Sequence, residues 1–229
     1  MPVLQFDNVS KHYPGGQVAL AEVSFAVEPG EMLFVTGRSG AGKSTLLRLI
    51  HLLERPSRGA VLFQDRNLAR VRGAGIARHR RQIGVVHQHH RLLADRTVED
   101  NVALPLVLRG LRRHEIGKRV WHLLDRLGLG ARAKALPGQL SAGEQQRVGI
   151  ARAVIAEPCL LIADEPTGNL DPALSAEIMT LLAGLPERGT SVLVASHDLM
   201  LVKRMRKRVL VLEQGRLVDD IAPEELADA

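Results

Sequence analysis

The chain has 229 residues, 45% hydrophobic and 24% charged, a globular make-up long enough to bury a sizeable core. Its aromatics are few (Phe6, Tyr13, Phe25, Phe34, Phe63, Trp121), which argues against a base-stacking nucleic-acid platform, and its single cysteine, Cys159, excludes a disulfide framework or a cysteine-built zinc site. The net charge of +6, carried mainly by arginine, favours anionic partners.

The opening MPVLQFDNVS has no signal-peptide core, and no apolar run approaches the roughly 18 residues of a membrane helix. The chain is therefore expected neither to span a membrane nor to be exported. VLQFDNVS, QVALAEVSFAVEPG and GAVLFQ then alternate and turn like an antiparallel sheet. LFVT (33–36) reads as a buried strand, followed by a glycine-rich turn and a helix over 44–54. From 89 to 155 no segment reads as a strand; helices such as IGKRVWHLLDRLGL fill the interval. CLLIA (159–163), SVLVA (191–195) and VLVLE (209–213) are compact apolar strands separated by helical stretches, as in a parallel sheet. The expected architecture is α/β and spans 1–229 as one unit. It has a parallel core, an antiparallel β edge and a helical subdomain inserted over about 89–155.

Gly37-Arg38-Ser39-Gly40-Ala41-Gly42-Lys43-Ser44 fits G-x-x-x-x-G-K-[ST] between a strand and a helix. The glycines permit a tight loop whose amides turn onto phosphate oxygens, and the helix start adds its own amides and dipole. Lys43 brings a charge to the β- and γ-phosphates, and the Ser44 hydroxyl suits Mg2+, with Thr45 beside it. This predicts nucleoside triphosphate binding on a phosphate-loop fold with a RecA-like parallel core. CLLIADE ends in Asp164 and Glu165, adjacent carboxylates at a buried strand tip. Such a pair suits a cation and a proton transfer: Asp164 toward Mg2+, Glu165 as general base for water.

Leu140-Ser141-Ala142-Gly143-Glu144-Gln145-Gln146-Arg147 resembles the LSGGQ signature of ATP-binding cassette ATPases. The rest of that family's pattern follows in order along the chain. Tyr13 matches the aromatic that stacks on adenine, Gln88 the Q-loop glutamine that reaches metal and water, and His197 the switch histidine. Gly168-Asn169-Leu170-Asp171 matches the D-loop, which puts Asp171 near nucleotide as well. The resemblance implies ATP and Mg2+ as ligands. It also implies a homodimer in the ATP-bound state, with Ser141 and Gly143 closing over the nucleotide of the other copy. Ala142 stands where the family has glycine; it is strained if the position needs φ above zero and harmless if the position is helical.

Within the family, Tyr13-Pro14-Gly15-Gly16, Glu54-Arg55-Pro56-Ser57, DRTVEDNVALPL (95–106) and LSAGEQQRVGIARAV look like the cell-division branch named FtsE. That likeness implies a peripheral ATPase on the cytoplasmic face of a bacterial inner membrane, at the division septum. Its partners would be an FtsX-like integral membrane protein and other divisome components. The partner's motion would regulate peptidoglycan hydrolysis. Leu92, Leu93 and VALPLVL are candidates for the partner groove. His87, His89 and His90 depart from the residues usual around Gln88, and their role stays open. ADEPTGNLDP is shared with lipoprotein-releasing and macrolide-export ATPases, which remain the alternative. The basic clusters of Arg70, Arg72, Arg78, Arg80 and Arg81 and of Lys203–Arg208 motivate a nucleic-acid reading, against which stands the lack of a second cassette or coiled-coil insertion. A nucleotide-gated scaffold is a third reading, to which Glu165 and His197 would be superfluous.

Overall fold

The computed structural model describes residues 1–168 and 170–225; Asn169 of the D-loop lies outside them. In chain order the strands are β1 (Leu4–His12), β2 (Val18–Val27), β3 (Met32–Thr36), β4 (Arg58–Phe63), β5 (Arg66–Asn67), β6 (Ile83–Val86), β7 (Leu160–Asp164), β8 (Ser191–Ala195), β9 (Arg208–Glu213) and β10 (Arg216–Ile221). The α-helices are α1 (Lys43–Ile50), α2 (Ala74–Arg80), α3 (Val98–Leu108), α4 (Arg113–Arg126), α5 (Ala142–Val154), α6 (Pro172–Ala183) and α7 (Leu199–Met205).

Two sheets organise the chain. β2-β1-β4-β5 form an antiparallel sheet, and β10-β9-β3-β8-β7-β6 form the second. In the second, β9, β3, β8, β7 and β6 run parallel while β10 is antiparallel at the edge. The mixed α/β architecture expected of a phosphate-loop ATPase is present.

β3 and β8 are buried at every position, because both faces of the parallel sheet are covered. The period of two then sorts their side chains. Leu33 and Val35 join Leu46 and Leu49 of α1 and the antiparallel sheet's Phe6 and Val23. Met32 and Phe34 turn the other way, to Ile150 of α5 and Ile178 and Met179 of α6. Phe6 and Phe25 stack at 4.7 Å between ring centres inside the β layer.

A third apolar cluster joins α3, α4 and α5 through Val98, Val102, Ile116, Val120, Leu124 and Val148. Helix α5 faces both ways. Val148, Ala151 and Ile155 just beyond it pack on the helices, whereas Ile150 and Ala153 pack on the sheet.

The predicted helix over 44–54 is shorter in the structure. It stops at Ile50; Leu52 takes φ +54°, and the amides of Leu53 and Glu54 both donate to the Arg48 carbonyl. The freed end is capped from α2: a ring nitrogen of His79 lies 2.7 Å from the Ile50 carbonyl, and Arg80 donates to the carbonyls of His51 and Leu52. Among the described residues, no helix is long and apolar enough to cross a membrane.

Candidate functional site

The carboxyl ends of β3, β7 and β8 deliver the glycine loop, the acidic pair and His197 to one place, as parallel sheets do. They line one cavity of about 810 Å³. Tyr13, Gly37, Arg38, Ser39, Gly40, Ala41, Gly42, Lys43, Ser44, Thr45, Gln88, Asp164, Glu165 and His197 all border it, from sequence positions up to 184 residues apart.

The loop has its form because two of its glycines stand against backbone. Gly42 has φ +112°, and a Cβ there would sit 2.6 Å from the Ala19 carbonyl oxygen. Gly37, at φ +148°, is pressed against the Leu212 carbonyl of β9. Side chains at either position would strain or displace a strand. The Lys43 ammonium, nearly buried, donates to the Gly37 carbonyl at 2.6 Å and the Arg38 carbonyl at 3.3 Å, which holds it over the loop's mouth.

Asp164 ends β7, and its carboxyl is held above the usual carboxylate range, first by burial and then by Glu165 beside it; Lys43 and Arg91 pull the other way. Glu165 has φ +48°, unusual for a residue with a Cβ, and its amide donates to the Ala195 carbonyl of β8 at 2.9 Å. That turn aims its carboxylate at His197, whose Nδ1 lies 2.8 Å from Oε2. Glu165 and His197 also border a second cavity of about 830 Å³, with Gly168, Ser196, Lys203 and Arg206 on its walls. The pair forms the partition between the two.

Ser44, Gln88 and Asp164 put a hydroxyl, an amide and a carboxylate on the same cavity wall. These are hard oxygen donors of the kind Mg2+ takes, and the raised Asp164 carboxyl would be relieved by a cation. Tyr13 borders the cavity near Lys11, whose ammonium is 5.0 Å from the ring centre.

Ser141, Gly143 and Asp171 do not border that cavity. Ser141 caps α5: its hydroxyl accepts from the Glu144 amide at 3.2 Å, while Glu144 accepts from the Ser141 amide at 2.8 Å. Ala142 is the first residue of α5, so the alanine takes ordinary helical geometry and the harmless alternative holds. A Cβ on Gly143 would run into the Leu174 methyls of α6. Asp171 caps α6, accepting from the amides of Ala173 and Leu174 at 3.0 Å each.

The cavity also includes residues that sequence reasoning missed. Thr36, 3% exposed, has a hydroxyl with no hydrogen-bond partner among the described residues, and Gln17, Ala19, Leu199 and Val211 also line the wall. Thr36 ends the strand before the loop; its position was legible, but its unpaired hydroxyl was not.

A family profile described as ABC transporter matches residues 20–168. The cell division ATP-binding protein FtsE of Escherichia coli strain K12 is 50% identical over 222 residues, 97% of this chain and 100% of that protein. FtsE of Bacillus subtilis strain 168 is 44% identical over 95% of this chain and 96% of its own length. Among solved structures, the dimeric ATP-binding cassette MJ0796 in a post-hydrolysis state with ADP and phosphate superposes with a TM-score of 0.87, at 33% identity over 96% of this chain and 98% of that one.

Proposed function

The chain belongs to the ABC transporter family and is an ATP-binding, ATP-hydrolysing cassette of the cell-division FtsE type, and from that premise we propose how its residues divide the work. The whole of 1–229 acts as one nucleotide-binding domain, with its helical part, about 89–155, as the arm that answers to a partner. Loop amides from Gly37 to Ser44, with Thr45 behind them, cradle the phosphates, Lys43 neutralises the β- and γ-oxygens, and Tyr13 stacks on adenine. Ser44, Gln88 and Asp164 would hold Mg2+, which supplies charge neutralisation at the phosphates when bound. Glu165 accepts a proton from the attacking water as the water oxygen bonds to the γ-phosphorus and ADP leaves. His197 keeps the Glu165 carboxylate turned toward that water.

Ser141 and Gly143 act on the nucleotide of a second copy, with Asp171 at the seam. The observation that carries this reading is their exclusion from the cavity that gathers Lys43, Asp164 and Glu165. It agrees with the dimeric state of MJ0796. Closure around two nucleotides and reopening after hydrolysis then drive an FtsX-like integral membrane protein, against which the chain sits peripherally at the cytoplasmic face of the septal inner membrane. Through that partner the cycle regulates peptidoglycan hydrolysis, with other divisome components as further contacts and no specific nucleic acid.

The test is co-purification from membranes with ATP. The chain is expected to bring down an FtsX-like four-helix membrane protein and to release phosphate, and a Lys43→Ala control to release none. Recovery of a solute permease instead would overturn the cell-division assignment while leaving the ATPase intact.

A further inference from the structure

Gln146, on the signature helix α5, is a polar side chain with 1% of its surface exposed, and both ends of its amide are used. Nε2 donates to the Pro166 carbonyl at 2.6 Å. Oε1 accepts from Nδ1 of His90. The Pro166 carbonyl can only accept, so the amide has one orientation, and the His90 ring must carry a proton on Nδ1. Six residues further along α5, Arg152 donates to the carbonyls of His90 and Arg91 at 2.8 Å each.

The segments joined this way are two of the loops that border the nucleotide cavity. His90 lies two residues after Gln88, and Pro166 directly follows Glu165. Both ends are turns in unfavourable backbone geometry: φ is +52° at His90, +47° at Arg91 and +48° at Glu165. Such turns persist only where neighbours hold them. Neither Gln146 nor His90 borders the cavity itself.

We propose that Gln146, with His90, is a positioning residue for ATP hydrolysis: one buried amide fixes the Gln88 loop against the Glu165 loop and ties both to the helix that Ser141 caps. The inference rests on the roles given above to Gln88 and Glu165. The Gln146–Pro166 bond is buried and the His90–Gln146 bond part-buried, and because one amide makes both, a shift of α5 is passed to both loops together. This assigns a function to one of the histidines that depart from the usual Q-loop residues.

The test uses the full chain with Mg2+ and ATP. His90→Phe removes the donor at a partly exposed position, and His90→Asn restores an N–H where Nδ1 sits. Gln146→Glu keeps the acceptor for His90 but cannot donate to Pro166. His90→Phe and Gln146→Glu are expected to lower kcat about 10- to 100-fold with KM within about twofold, the scale of a misplaced catalytic group. His90→Asn is expected to recover most of the loss. Unchanged kcat in both variants, a matching rise in KM, or no recovery with His90→Asn overturns the proposal. Glu165→Gln measured alongside separates the two layers. If it abolishes turnover while His90→Phe is wild-type, only the bridge fails; if Glu165→Gln turns over normally, the site reading falls and the bridge with it.

Discussion

Nδ1 of His197 and Oε2 of Glu165 stand 2.8 Å apart, and the His197 amide faces the same oxygen at 3.4 Å. The carboxylate is thus held from the far side by β8's end while its own backbone sits in a left-handed turn after β7. Replacing Glu165 by Gln preserves shape and removes the proton acceptor. ATP affinity is expected to stay near wild type, phosphate release to fall about 100-fold or more, and the closed dimer to accumulate. Light scattering with ATP checks this: a species that remains monomeric at saturating ATP contradicts it.

Tyr13→Ala is expected to weaken ATP binding by about 1–3 kcal/mol if the ring, which borders the cavity, stacks on adenine as proposed. The phosphate cradle is untouched, so pyrophosphate affinity should not change. Titration calorimetry with ATP and with pyrophosphate separates the two contributions.

Gly42→Ala places a methyl 2.6 Å from the Ala19 carbonyl at φ +112°. The left-handed penalty alone is about 1–2 kcal/mol, and the clash with β2 adds to it. A melting midpoint lowered by about 5 °C and loss of ATP binding are expected. Ala142→Gly, at a helical position, should alter neither.

Acid should unfold the protein partly through His51. Burial above all, then Arg80, His79 and His87 nearby, lowers its pKa to about 4. The folded ring stays neutral while the unfolded one protonates near 6.5, so stability is unaffected above that pH and falls as pH drops from 6.5 toward 4. His87, lowered to about 4 mainly by burial, acts in the same direction. His51→Phe should therefore lose less of its melting midpoint than wild type between pH 7 and 4.5, and parallel losses would exclude His51 as a contributor.

The central strands were legible because uniform burial leaves an uninterrupted apolar run: SVLVA is β8 residue for residue. Strand β6 (IGVV) escaped notice because it is short and broken by Gly84, whose missing Cβ leaves room for the Ala153 carbonyl of α5. Strand β10 (RLVDDI) is an exposed edge whose acidic pair conceals the alternation, although Asp220 binds Arg208 twice at 2.7 Å. Local spacing announced the phosphate loop and the acidic pair, while the signature was read from its resemblance to the cassette family. The Glu165–His197 contact and the Gln146 junction join residues distant in sequence, so only the packed chain brings them into view.

Since Ser141 does not border the cavity that holds Lys43, the two halves of each nucleotide station in the proposed pair come from different molecules. A K43A chain mixed with an S141R chain should then assemble some pairs in which one station inherits both defects and the other inherits neither. Two individually dead alleles would thereby rescue each other by intragenic complementation, to the extent that one sound station suffices for a turnover.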